Sequence, residues 1–164
     1  MNEGLSLWPD ELADRIAKIA GKHAIDGVTF SGGEPMHQAG SLLSSFVEIR
    51  HRLPGLSFGM FSGYSLAELD AGTYMSVTEP LVDEKVAIWY HIRAYLDFGI
   101  LGRFDCTQPV RDRPLVTSAN QQLYLFTNRY TLADFAPLTT EVTIDPGGSG
   151  TITGFPILGS PVRL

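Results

Sequence analysis

The chain has 164 residues, with 12 basic and 18 acidic side chains and a formal net charge of -6. That length suits one domain with a sizeable core, and 44% hydrophobic content argues against disorder. No clustered basic face for nucleic acid, no apolar run of membrane-span length and no secretory leader is visible. The expected protein is cytoplasmic, with neither nucleic acid nor membrane as partner.

Leu12, Ile16 and Ile19 recur at the spacing of one helix face and predict a helix over 9–20. Pro9, Asp10 and Glu11 suit its first turn, and Gly21 is a natural stop. Residues 27–31 follow as a strand, since Val28, Thr29 and Phe30 favour a pleated, half-buried setting. Gly32 and Gly33 then allow φ values closed to other residues and a close approach to the main chain. Pro35 suits the first position of a helix. Glu34 therefore stands at the carboxyl end of a strand, where open α/β sheets place their ligands. On its own residues, such a turn is more often an ordinary strand-to-helix connection than a site.

A helix over 39–53 comes next, with Leu42, Leu43, Phe46, Ile49 and Leu53 as its apolar face and Pro54-Gly55 ending it. Leu56 to Phe61 has apolar residues on both faces, as expected of a strand covered on both sides. Ser62-Gly63-Tyr64 is a turn, and Ser65 with Glu68 has the spacing of a capping box. Two strand–helix units in series argue for a parallel sheet with right-handed crossovers.

Beyond a loop at 71–82, Asp83 is expected to cap a helix of about 84–96. Phe98 to Phe104 reads as a third strand, 105–119 as an extended loop and Leu123 to Thr127 as a fourth strand. Thr131 to Phe135 makes one helical turn, and 141–144 with 151–153 read as a terminal β-hairpin. No repeat or linker interrupts this order, so residues 1–164 read as one domain.

The remaining chemistry-bearing residues are sparse. His23, His37, His51 and His91 lie on different elements without metal-ligand spacing. His37 lies beside the glycine turn but reads as an exposed helix-start histidine. Neither a nucleophile elbow nor a P-loop is present. Asp70, Glu79, Asp83 and Glu84 read as solvated charges. The one cysteine, Cys106, excludes an intramolecular disulfide and any intrachain site needing several thiolates.

In chain order, five motifs stand out: Thr29 to Gln38, Phe61 to Tyr64, Gly102 to Asp105, Ser118 to Leu123 and Thr127 to Tyr130. Together they resemble the short radical S-adenosylmethionine (SAM) proteins. More narrowly, the chain is similar to the single-cluster 4Fe-4S proteins related to the activases of anaerobic ribonucleotide reductase and pyruvate formate-lyase. The resemblance implies an α/β fold: a partial (β/α) barrel with a mostly parallel sheet, here lacking its first strand, plus the C-terminal β-hairpin. It also implies a [4Fe-4S] cluster and SAM at the carboxyl ends of the strands. In such enzymes the reduced cluster passes an electron to the sulfonium of SAM. This gives methionine and a 5′-deoxyadenosyl radical, which in activases abstracts a hydrogen atom from a glycine of a large partner enzyme. By the same resemblance, Gly32, Gly33, Glu34 and Pro35 hold the methionyl amino group of SAM, and Ser62 contacts ribose or methionyl atoms. Arg103 and Asn120 fall in matching motifs near other strand ends. For them a surface salt bridge and a turn-forming asparagine are equally open readings. No residue is assigned a catalytic role or a metal.

The chain departs from the family at the cluster. The family's Cys-x3-Cys-x2-Cys loop follows a first strand upstream of the helix at 9–20, and neither is in this sequence. Iron–sulfur clusters are typically held by cysteine thiolates, and Cys106 cannot replace three of them. The expectation is a SAM-binding core without radical chemistry of its own. The alternative is a non-catalytic SAM- or partner-binding module. Three explanations stay open: a start assigned too late, a degenerate relative, or a separate polypeptide that supplies the missing strand and loop; the first carries most weight. A sheet without its first strand would expose the edge of strand 27–31 and invite self-association or pairing with another segment.

Overall fold

The computed structural model describes residues 7–110, 113, 115–135, 140–144 and 150–154. Four strands form an open, mostly parallel sheet: β1 (Gly27–Phe30), β2 (Ser57–Ser62), β3 (Phe98–Leu101) and β4 (Gln122–Leu125), in the spatial order β1-β2-β3-β4. β1 pairs parallel with β2 and β2 with β3, whereas β4 runs antiparallel to β3. Between the strands lie α1 (Pro9–Ala20), α2 (Ala39–Arg52), α3 (Leu66–Asp70) and α4 (Val82–Tyr95). β5 (Thr140–Ile144) and β6 (Gly150–Gly154) pair antiparallel as a separate two-stranded sheet. The loop expected to join them, 145–149, lies outside the described residues.

The pleat explains how the sheet is covered. Phe58 and Met60 of β2 face a core with Phe46 and Ile49 of α2 and Trp89 and Ile92 of α4, all fully buried. Phe98 and Ile100 of β3 point to the opposite face, where Val116, Tyr130 and Phe135 cover them. β2 is thus buried nearly throughout, as its apolar run implied. β1 alternates between exposed and half-buried residues, as a strand does with one covered face. Among the described residues it pairs only with β2, so its outer edge carries no partner strand.

Several boundaries differ from expectation for local reasons. On α1 the inward face is Leu12, Ala13 and Ile16, while Ile19 is about half exposed. α4 begins at Val82, so Asp83 sits in its first turn instead of capping it. Glu84 caps the helix backwards, its carboxylate accepting from Leu81 N–H at 2.9 Å. β3 stops at Leu101 because Gly102 takes φ +120°, and a Cβ there would collide with the Asn120 carbonyl. Asp70 is not merely solvated: its carboxylate accepts from the Trp89 indole N–H at 2.7 Å and ties α3 to α4.

One buried carboxylate clasps the sheet at the end away from the glycine turn. Asp97, just before β3, accepts from Phe58 N–H at 3.0 Å and from the Thr127 hydroxyl at 2.7 Å. It thereby joins β2, β3 and the segment after β4.

Candidate functional site

The site lies at the carboxyl ends of β1, β2 and β3. The chain leaves β1 through Gly32 and Gly33, at φ +84° and +55°, and a Cβ on either would meet nothing within 4 Å. The glycines are required by the backbone conformation, and the space in front of them is open. Glu34 then ends the turn in extended geometry and caps the 3-10 turn Pro35–Gln38, with Pro35 at its first position.

The Glu34 carboxylate is held by three donors. Oε1 accepts from Met36 N–H at 3.0 Å and from the Ser62 hydroxyl at 2.8 Å, and Oε2 accepts from Gly63 N–H at 2.7 Å. The carboxylate therefore bridges the end of β1 to the end of β2. A carboxylate oxygen can take about two hydrogen bonds, so Oε2 keeps acceptor capacity. It does so on a cleft of about 180 Å³ lined by Glu34, His37, Gly63, Tyr64 and Arg103. A second cleft, of about 290 Å³, shares Gly63 and is lined also by Gly32, Gly33, Ser62, Phe61 and Phe104.

Ser62 is buried, and its hydroxyl is spent on the protein: it donates to Glu34 and accepts from Tyr64 N–H at 3.1 Å. Its first role here is to fix the carboxylate. Arg103 follows β3 and reaches back over the first cleft. Its Nη1 donates to both oxygens of Glu68 at 2.8 and 3.1 Å, and its guanidinium lies 5.5 Å from the centre of the Tyr64 ring. The Glu68 carboxyl is held below its usual range, first by the Ser65 N–H, then by Arg103 and the Ser65 hydroxyl. Asn120 lines neither cleft. Its side-chain N–H donates to the Arg103 carbonyl and its oxygen accepts from the Ser118 hydroxyl at 2.8 Å, so it braces the backbone that carries Arg103. Arg103 thus makes an ion pair with Glu68 and also faces the cleft.

Two cleft residues were underrated from sequence. His37 is half-buried, with Nε2 3.3 Å from the Tyr64 hydroxyl, and that hydroxyl accepts from Met75 N–H at 3.0 Å. The His37 carbonyl takes Val77 N–H at 2.7 Å. The connection 71–81 is thereby tied to the glycine turn. The signal available in sequence was only proximity: His37 three residues after Glu34, and Tyr64 two after Ser62.

The same geometry does not supply a cluster site. Among the described residues no group of three or more His, Cys, Asp or Glu is placed to hold a metal ion. Cys106 is exposed and unpaired.

The family model described as "4Fe-4S single cluster domain" matches residues 2–124, a stretch that contains every site residue named above. The chain belongs to this family. Within it, an anaerobic ribonucleoside-triphosphate reductase-activating protein of Pasteurella multocida (strain Pm70) is 34% identical over 105 residues. That alignment covers 62% of this chain and 56% of the relative, so the match spans little more than half of the activating protein's length. Both findings place the chain in the radical-SAM activase-like group. No solved structure matches it. The Glu34 turn and its two clefts lie at the carboxyl ends of the parallel strands. The described residues offer no ligand set for a cluster. No helix among them is long and apolar enough to cross a membrane.

Proposed function

We propose that this chain is the SAM-binding core of a radical-SAM activating-enzyme-like protein, a single domain that works in the cytoplasm against a large partner enzyme. The observation that carries the reading is the Glu34 carboxylate. It is fixed by three protein donors, retains acceptor capacity on Oε2, and stands beside two glycines with open space before them. An ammonium group is the natural ligand for that arrangement, since a charge-assisted hydrogen bond is about twice as strong as a neutral one. Ser62 and Gly63 orient the carboxylate, Pro35 sets the following turn, and the adjoining cleft provides room for the rest of the molecule. SAM, when bound, supplies the group that generates a hydrogen-abstracting species upon one-electron reduction. In the activases this acts on a glycine of the partner.

The partial-barrel reading agrees with three parallel strands whose carboxyl ends share one site. The whole activating function needs cluster thiolates beyond the one cysteine of these 164 residues. That count favours a second reading, a SAM- or partner-binding module without chemistry of its own. Calorimetry with SAM tests the first part: the protein binds SAM, and Glu34→Ala weakens binding at least about tenfold, as expected for loss of a charged partner. Absence of SAM binding in folded wild-type protein would leave only a partner-binding role. Iron analysis and reductive SAM cleavage test the second part. The isolated chain is expected to carry no stoichiometric iron and to leave SAM intact, and a 4Fe-4S absorbance spectrum would overturn that expectation.

A further inference from the structure

The connection between α3 and α4 is apolar on its outer side. Among the described residues, four of the eleven exposed large apolar side chains fall between positions 75 and 82: Met75, Val77, Leu81 and Val82, at 68, 78, 75 and 57% exposure. Burial alternates along the segment, with Tyr74 and Ser76 inside and Met75 and Val77 outside. Backbone bonds hold the outward residues in place. Met75 N–H donates to the Tyr64 hydroxyl at 3.0 Å, and Val77 N–H donates to the His37 carbonyl at 2.7 Å. Glu79 N–H closes a turn on the Ser76 carbonyl at 3.0 Å. On the other flank the Tyr74 hydroxyl donates to the Lys85 carbonyl at 2.8 Å, and the Lys85 ammonium donates to the Tyr74 carbonyl at 3.0 Å. The segment is thus a fixed ridge between the start of α4 and two residues of the first cleft, His37 and Tyr64. None of the four apolar side chains lines either cleft.

The charge on this ridge has one sign. The charged residues of 71–84 are Glu79, Asp83 and Glu84, all exposed. The next cation, Lys85, is turned inward onto Tyr74. An exposed apolar patch with a polar rim marks a docking surface, and the charge of the rim selects the partner. We propose that ridge 75–82 docks a polypeptide segment that combines aliphatic or aromatic side chains with lysine or arginine. The acidic rim decides between occupants. A second copy in a two-fold contact would set the same carboxylates against each other, and an anionic lipid surface would be repelled. A cationic, apolar segment satisfies both parts of the surface. Because the ridge is already fixed, little ordering is lost when it is covered. The inference rests on the partner part of the proposed function, to which it gives a surface and a chemistry, and not on SAM.

The test pans a random displayed-peptide library on the immobilised 164-residue chain. Fluorescence anisotropy then measures the recovered peptides against wild type and two variants. Met75→Gln with Val77→Thr and Leu81→Gln removes the apolar centre. Glu79→Gln with Asp83→Asn removes rim charge, and it carries the comparison should the first variant fail to fold. The expected peptides combine Leu, Ile, Phe or Trp with Lys or Arg. The first variant weakens them at least about tenfold, as for loss of buried anchors. The second weakens them about two- to fivefold at low salt, and high salt removes the difference. Saturating SAM leaves the peptides bound. Recovery of no peptide, or of peptides that hold both variants as tightly as wild type, would overturn the inference. Self-association abolished by the first variant would assign the ridge to a second copy instead, and flotation with phosphatidylglycerol vesicles abolished by it would assign the ridge to a membrane. Peptides still held by a folded chain that binds no SAM would overturn the SAM reading alone.

Discussion

Replacing Glu34 by glutamine should damage the fold before any ligand is added. The carboxylate takes Met36 N–H and the Ser62 hydroxyl on one oxygen and Gly63 N–H on the other. Glutamine offers one acceptor oxygen and an NH₂ group. With its oxygen toward Met36 and Ser62, the NH₂ faces Gly63 N–H, donor against donor, at a site where the acceptor now stands 2.7 Å away. With the amide turned over, Met36 N–H loses its acceptor instead. A hydrogen bond to a charged group contributes about 1.5–3 kcal/mol, and an unsatisfied buried donor costs a similar amount. The site is only partly buried, so water offsets some of this and the net loss should be about 2 kcal/mol. For a chain of this size that corresponds to a fall in Tm of about 4–8 °C. Calorimetric melting of ligand-free protein measures it directly. A Glu34→Gln variant that melts with wild type, while losing SAM, would refute the reasoning: the carboxylate would then be a ligand group with no part in joining β1 to β2.

Gly59→Ala should destabilise by about 1–3 kcal/mol through overpacking, because the new methyl would overlap the Phe98 ring, which Tyr130 and Phe135 hold from other sides. Urea titration reads the loss, and Phe98→Leu in the same chain should recover part of it. Burial pushes the Tyr74 phenol from its ordinary 10.0 up to about 12. The folded state then keeps a proton that the unfolded chain releases, so this contribution is complete below pH 10 and declines by about 1.4 kcal/mol per pH unit on the way to pH 12. Tyr74→Phe should flatten that alkaline window even as it loses the hydroxyl bond to the Lys85 carbonyl. A slope unchanged by the substitution would show that other groups produce it. The edge of β1 that pairs with no strand among the described residues should make the isolated chain associate with rising concentration, and sedimentation showing monomer throughout would refute that expectation.

The elements were legible in the sequence wherever one local rule acted alone. The apolar spacing of Leu42, Phe46 and Ile49 and the reciprocal cap of Ser65 with Glu68 each declared a helix, and both are found. The doubly covered β2 was equally plain. What was not legible depends on residues distant in sequence. Gly63 N–H meets Glu34 across 29 positions, and the Asp97 clasp reaches Phe58 and Thr127 across 39 and 30. No local pattern encodes such pairs. Ile19 misled because helical spacing shows only which residues share a stripe, and the core takes up just the Leu12, Ala13 and Ile16 part of it. In the site, the turn itself could be read, but the internal use of Ser62 and Asn120 could not, because a hydroxyl or amide looks the same in sequence whether it meets a ligand or a neighbouring backbone.

The strand order β1-β2-β3-β4 follows the order of synthesis. Each strand of the sheet therefore finds its partner already made as the chain leaves the ribosome, and none must be inserted between two that are paired. Each closure spans a single connection between neighbouring strands, and its entropic cost is met one connection at a time. Assembly is vectorial, and its direction has an end: β4 enters antiparallel and breaks the parallel run on its side. A further strand can extend the parallel run beside β1, and it can do so after the rest has folded, without disturbing a single existing pair.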